Sequence, residues 1–352
     1  MKDVAAHAGV AFKTVSRVVN DEPGVSQATR DLVHASVLAL GFRRNATAAS
    51  LRQRQTASIG LVVEDIGEPI QGAIARAVEH QALLRRNLLF TASSSDDAGR
   101  ERELLLSLCS RPVDGIIAIP SNEDHGFLAP ELEAGVSVVF IDRPASGVEA
   151  DTVLSDNRDG TRRGVQHLID HGHRRISYIG DQRDVYTSAE RYLGYCEALR
   201  ANGLPYDDSL VLLSHHEPVL VAAHLANLSN SASPATALFL GNSLNALAAL
   251  RLLPQDHSLA IVAFDDLVLF DLLTPPVTAV AQDPEQIART ASELLFDRIA
   301  GDTSPARTVL VRTALVQRGS GERPPDHSSR PPGAGSALSS AESSALRGDR
   351  SV

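Results

Sequence analysis

The chain has 352 residues, 43% of them hydrophobic and 22% charged, with a formal net charge of −10. It has no low-charge apolar run of roughly 18 residues or more, and Met1-Lys2-Asp3-Val4 carries no apolar signal core. This points to a cytoplasmic protein of two or three globular domains rather than a membrane-spanning or secreted one. Cys109 and Cys196 are too few for a disulfide framework, and without clustered histidines a structural zinc site is not expected.

Taken whole, an acidic chain argues against nucleic acid, but the charge is unevenly spread. Residues 1–55 hold eight basic and four acidic groups, net +4, which leaves −14 for the remainder. Both lysines, Lys2 and Lys13, lie in this head. A small basic head on a large acidic body is the asymmetry of a tethered DNA-binding module.

Residues 3–8 read as a short helix with Val4, Ala5 and Ala8 on its inner side, and Gly9 supplies a tight turn. A second helix is predicted over 14–20, where Val15, Val18 and Val19 recur at helical spacing before Asn20-Asp21-Glu22-Pro23-Gly24 ends the run. Ser26 is placed to cap a third helix over 27–40, with Leu32, Val33, Val37 and Leu40 on its apolar face and Gly41 closing it. Together these make a three-helix unit with a helix-turn-helix at its front. A short amphipathic segment follows over 45–52.

From Ser58 the pattern changes to short Val/Ile/Leu runs at 59–63, 88–91, 115–119, 136–141, 175–179, 235–240 and 259–264. Helical stretches lie between them, around 70–85, 97–110, 160–171, 188–201, 217–228 and 243–252. Such alternation predicts parallel sheets covered on both faces, and the length calls for two α/β lobes with a site at the carboxyl ends of the strands. Residues 319–352, with nine Ser, five Gly and four Pro, read as a disordered tail. The chain shows no nucleophile elbow, Walker loop or dinucleotide fingerprint, so no catalytic, cofactor or metal residues are expected. His167, His171 and His173 are better read as the capped end of a helix than as a metal cluster.

Asp3-Val4-Ala5, Ala8-Gly9-Val10 and Lys13-Thr14-Val15-Ser16-Arg17-Val18-Val19-Asn20 resemble the head of the lactose/galactose repressor family. Further matches run to about residue 318: Ile59-Gly60-Leu61-Val62-Val63, Val113-Asp114-Gly115, Ile141-Asp142-Arg143-Pro144, Asp156-Asn157, Gly172-His173-Arg174-Arg175-Ile176, Arg191 with Gly194, Phe264-Asp265-Asp266 and Leu273-Thr274-Pro275-Pro276. The resemblance implies an N-terminal all-α helix-turn-helix head (1–44), a hinge helix and linker (45–57), and a two-lobed periplasmic-binding-protein-like core with parallel sheets (58–318). Chain crossovers between the lobes are expected near 155, 282 and 307.

It further implies a transcriptional regulator, most often a repressor, acting as a homodimer on a palindromic double-stranded operator, with a tetramer left open. Phe12, Lys13 and Arg17 would face base edges, while Thr14, Ser16 and Asn20 would serve phosphates or helix packing. Asn45, Ala48 and Leu51 would belong to a hinge helix in the minor groove, with Leu51 as the wedge. Asp65, Asp142, Thr187, Arg191, Asn242, Asp265 and Gln282 would hold the effector, and their donors and acceptors suit a polyhydroxylated ligand such as a sugar. A transported-sugar binding protein or a sugar-metabolising enzyme on the same core are the alternatives.

The chain departs from the family pattern in places. Ala11 stands where the family has a capping Ser, and Arg44 where it has Pro. The sequence starts inside the first helix, which suggests a late start codon. Glu68-Pro69-Ile70-Gln71 replaces Asn-Pro-Phe-Phe, Asn242-Ser243 replaces Asn-Asp, and there is no Trp, so an aromatic platform for a sugar ring is missing, with His215 or His216 the nearest substitute.

Overall fold

The computed structural model describes residues 1–42, 56–121, 124–214, 217–254 and 257–325. The hinge positions Asn45, Ala48 and Leu51 lie outside the described residues, as do His215 and His216.

The head is three helices, α1 (Lys2–Ala8), α2 (Phe12–Val19) and α3 (Gln27–Ala39), around Val4, Ala5, Ala8, Val15, Val18 and Val33. Gly9 takes the left-handed conformation the turn requires, at φ 63°. Ser26 caps α3 by accepting the Thr29 N–H at 3.3 Å, whereas Ala11 at the same position of α2 has no side chain to offer. Helix α2 starts two residues earlier than the valine spacing alone marks, which places Phe12 and Lys13 in its first turn. On α3 the inward positions are Val33, Ser36 and Val37, while Leu32 and Leu40, expected inside, are 49% and 45% exposed. Ser36 is tolerated inside because its hydroxyl donates to the Leu32 carbonyl and meets His7 Nδ1 at 3.0 Å.

The first lobe is built from β1 (Ser58–Val63), α4 (Pro69–Leu84), β2 (Leu88–Ser93), α5 (Ala98–Cys109), β3 (Gly115–Ala118), α6 (Ala129–Glu133), β4 (Ser137–Ile141) and β5 (Asp151–Ser155). The chain then enters the second lobe with α7 (Asn157–Asp170), β6 (Ile176–Gly180), α8 (Tyr186–Ala201), β7 (Val211–Leu213), α9 (Pro218–Asn230), β8 (Ala237–Leu240), α10 (Ser243–Leu252), β9 (Ala260–Phe264) and β10 (Thr278–Ala281). It returns to the first lobe for α11 (Pro284–Ile299) and β11 (Thr308–Val311), and ends the second with β12 (Ala314–Val316).

Two six-stranded sheets result, ordered β11-β5-β4-β3-β1-β2 and β12-β10-β9-β8-β6-β7. Every pairing is parallel except that of β12, which runs antiparallel to β10. The central strands are buried on both faces, as their unbroken Val/Ile/Leu runs require. The crossovers fall at 156, at 282–283 and at 312–313. The third lies later than the expected 307 because β11 still belongs to the first sheet.

Asp114 anchors the entry to the core: its carboxylate accepts the Thr56 N–H at 2.6 Å, the Thr56 hydroxyl and the Ala57 N–H. At the other end, residues 319–325 are not the start of a disordered tail. Ser320 is 2% exposed, and Glu322 accepts from the Thr278 hydroxyl and the Gly319 N–H and pairs with His167 at 2.7 Å. The Arg323 carbonyl meets His173 Nε2 at 2.8 Å. This small polar segment orders because the second lobe supplies partners, which composition does not record. Among the described residues no helix is long and apolar enough to cross a membrane.

Candidate functional site: a helix face and an interlobe cleft

Two arrangements have the chemistry of recognition. The first is the outer face of α2. Val15 and Val18 point into the head's core, so helical spacing turns Phe12, Lys13 and Arg17 outward. Phe12 is 52% exposed on this face. Arg17 is held only loosely, 4.0 Å from Glu22. Thr14, Ser16 and Asn20 are half-buried at the flank of this face, and Asn20 donates to the Ser16 hydroxyl.

The second arrangement is a cavity of about 280 Å³ between the lobes, lined by all seven positions assigned to the effector: Asp65, Asp142, Thr187, Arg191, Asn242, Asp265 and Gln282. The sheets explain the convergence. Glu64, Asp142, Asp181, Asp265 and Gln282 each come directly after a strand, β1, β4, β6, β9 and β10, so the carboxyl ends of both sheets empty into one cleft. Asp142 and Asp265 occupy equivalent places in the two lobes, and both adopt left-handed backbone, φ 67° and 70°. Non-glycine residues held in that region cluster where a side chain must be aimed.

Arg191 is the hub. It is buried, donates from Nε to Asn157 at 2.7 Å and from Nη1 to the Gly241 carbonyl at 2.9 Å, and sits 3.9 Å from Asp265. Its guanidinium stacks on the Phe264 ring at 3.8 Å, which fixes the plane of the fork. Gly194, one turn on, allows this placement: a Cβ there would stand 2.2 Å from the Arg158 carbonyl, so only glycine lets α8 press against α7. Gln282 donates to Asp265 at 2.8 Å and accepts from Ser155, and the Ser243 N–H adds a third bond to Asp265. Asn242 caps α10 through its oxygen and gives its amide to Asp181.

The first lobe adds residues that the motif reading did not assign to the ligand. Arg143 pairs with Glu64 at 2.5 Å and lies 3.7 Å from Asp142. Gln71 accepts the Glu64 and Asp65 N–H groups and donates to both Glu64 and Glu68. Glu68 reaches across the cleft to accept the Ser243 hydroxyl at 3.2 Å. Burial and the Asp265 carboxylate push Glu68 up to about 7, and burial raises Asp142 against the pull of Arg143 and Arg191. Glu64 and Asp181 had a signal in the sequence, as each lies within two residues of the end of an apolar run. Among the described residues no aromatic ring lines the cavity, in keeping with Ile70 and Gln71 at the family's Phe positions. His171 accepts no ligand role: its ring bonds the His167 carbonyl at 2.8 Å and closes the end of α7.

Comparison with known proteins finds matches to both parts of the chain. Residues 1–45 match the model of bacterial regulatory proteins of the lacI family, and residues 165–321 match the periplasmic binding protein-like domain. The chain is 35% identical over 332 residues to the HTH-type transcriptional regulator CelR of Thermobifida fusca, covering 90% of this chain and 97% of that protein. It is 29% identical to the HTH-type transcriptional regulator GalR of Escherichia coli, covering 92% and 96%. A solved CelR–cellobiose complex superposes with a TM-score of 0.67 at 32% identity, covering 91% of this chain and 98% of that one. The lac repressor dimer bound to operator shares the fold, with a TM-score of 0.77 at 23% identity and coverage of 91% and 98%. With a reading helix at its head and a two-lobed cleft behind it, this chain belongs to the lacI family of bacterial transcriptional regulators.

Proposed function

We propose that this regulator works in the cytoplasm as a homodimer that represses transcription from a palindromic operator, and that a polyhydroxylated small molecule of the sugar class in the interlobe cleft controls its grip on DNA. The observation that carries the reading is the meeting of Asp65, Asp142, Thr187, Arg191, Asn242, Asp265 and Gln282, far apart in sequence, around one cavity. Their carboxylates, amides and guanidinium supply the paired donors and acceptors that ring hydroxyls need. Walls from both lobes make the ligand's affinity depend on how the lobes stand, and that differential affinity is what shifts a DNA-binding equilibrium.

On the DNA side, Phe12, Lys13 and Arg17 read base edges, Thr14, Ser16 and Asn20 contact phosphate or support the helix, and Asn45, Ala48 and Leu51 enter the minor groove. The dimer reading is supported by exposed apolar strips on each lobe, Leu83, Leu84, Leu88 and Phe90 on the first and Val268, Leu269 and Leu272 on the second. The relative CelR, solved with cellobiose, makes that disaccharide the first ligand to try. Protection of genomic fragments by the purified protein, with and without cellobiose and other neutral sugars, tests the whole. A protected palindrome whose occupancy changes with a sugar is expected; no sequence-specific protection under any condition refutes it.

A further inference from the structure

The effector cleft is strongly one-sided in charge. Among the described residues seven carboxylates line it against two arginines, and neither arginine has positive charge to spare. Arg143 places Nη1 and Nη2 on Glu64 and turns Nε toward Asp142. Arg191 spends its donors on Asn157 and the Gly241 carbonyl, faces Asp265, and lays its plane on Phe264. What either can still offer a ligand is a hydrogen-bond donor inside an already neutralised pair.

Glu68 is the residue on which this matters. It sits at the first turn of α4, before Pro69, and its two oxygens accept from neutral donors, Gln71 on its own helix and Ser243 on α10 of the opposite lobe. The charged groups that bear on it, Asp265 and Asp142, are both carboxylates. A buried carboxyl in that setting is relieved by a proton or by a positive group on a ligand, and an anionic ligand aggravates it.

We propose that the cleft is a charge filter: it admits polyols that are uncharged or carry an ammonium group, rejects phosphorylated and carboxylated ones, and Glu68 sets the selection. This rests on the cleft being the effector site, as argued above. Two like unit charges about 6 Å apart at an effective dielectric near 20 repel strongly enough that Glu68 would sooner take up a proton, which at pH 8 sets its share of the penalty at roughly tenfold in affinity.

The test is titration calorimetry of the full-length protein at pH 8, where Glu68 is ionised, with matched probes. These are cellobiose against cellobionate, and glucose and glucosamine against glucose 6-phosphate. A neutral or amino member that binds at least tenfold tighter than its anionic partner is expected. An anionic member that binds as tightly as its partner, or tighter, overturns the filter. If no probe of either charge binds, the sugar reading falls and the filter falls with it, a pattern distinct from binding without discrimination. Glu68→Gln keeps the shape and should narrow the gap by about tenfold. Ser243→Ala removes the contact across the cleft but keeps the charge, and should leave the gap unchanged. Full discrimination in a folded Glu68→Gln protein takes the role from Glu68.

Discussion

The head and the cleft divide function and stability differently. In the head the two fall on separate residues. Val4, Val15, Val18 and Val33 are buried and hold three helices together, while Phe12, Lys13 and Arg17 stand outside and make almost no contacts of their own. In the cleft they fall on the same residues. Arg191, Asp265 and Gln282 bond to one another and to Asn157, Ser155 and Ser243, so the atoms that would meet a ligand also join the elements of the lobes. A solvent-facing reading surface can change without loss of fold. A buried polar network cannot lose a member without leaving its partners unsatisfied.

The strongest test of that contrast is Arg191→Ala. Truncation removes the positive charge beside Asp265, buried to 1% exposure, and leaves Asn157 Oδ1 and the Gly241 carbonyl without their donor. Removing one partner of a buried ionic network costs about 3–5 kcal/mol. The variant should melt well below the parent by calorimetry and give no sugar-dependent change in operator binding, while its ligand-free operator affinity stays within a few-fold at temperatures where it is folded. A variant of parental stability would break the comparison, since function and stability would then be separable in the cleft as well.

The head should behave in the opposite way. Lys13→Ala and Arg17→Ala remove side chains that face solvent and hold nothing in place. Each should cost about 1–3 kcal/mol of operator binding and relax base preference. The melting transition should stay within about 0.5 kcal/mol of the parent, as for other exposed substitutions. Competition binding with operator variants, read beside thermal melts, checks both halves. Loss of head structure in either variant would mean that the reading face also carries stability. Because the head carries net +4 and the rest of the chain −14, binding in all variants should weaken steeply with added salt.

Legibility in the sequence followed the same division. The head was readable because its valines recur at helical spacing and its breaks carry Gly9, Ser26 and Gly41; it misled only in phase, at Leu32 and Leu40. There a buried Ser36 satisfied by His7 takes a place that periodicity assigns to an apolar side chain. In the core, β1, β3, β4, β6, β8 and β9 stood out as unbroken Val/Ile/Leu runs because they are buried on both faces, and so did the edge strand β2. β5, β7, β10, β11 and β12 did not, being three to five residues long and either too short or too mixed with Asp, Ser, Thr and Ala to read as apolar runs. Helix α11 went unmarked even though Asp283 caps it and Pro284 opens it. Its partner strands lie over a hundred residues earlier in the chain, and local pattern holds no record of which lobe a segment joins. The cleft was legible through family motifs at seven positions, Glu68 showed only as a departure from the family pattern, and Glu64 and Asp181 were visible only through the rule that ligands gather at strand ends.

The smallest expected effect sharpens the comparison most finely. Ala11 has φ −63° and ψ 145°, nearly the angles of Ser26 at φ −64° and ψ 151°, so the backbone of α2 is already set for a cap that its side chain cannot make. Ala11→Ser would place a hydroxyl within reach of the Lys13 and Thr14 N–H groups, and Ala11 is exposed, so no desolvation opposes it. The head should gain about 1 kcal/mol, and Ser26→Ala should lose a similar amount from α3. Helical circular dichroism of the full chain should show the head's transition moving up in the first variant and down in the second, with the transition of the two lobes fixed in both. A single transition that moves as one unit would show that head and core do not melt separately, and the division drawn between them would then describe their chemistry but not their folding.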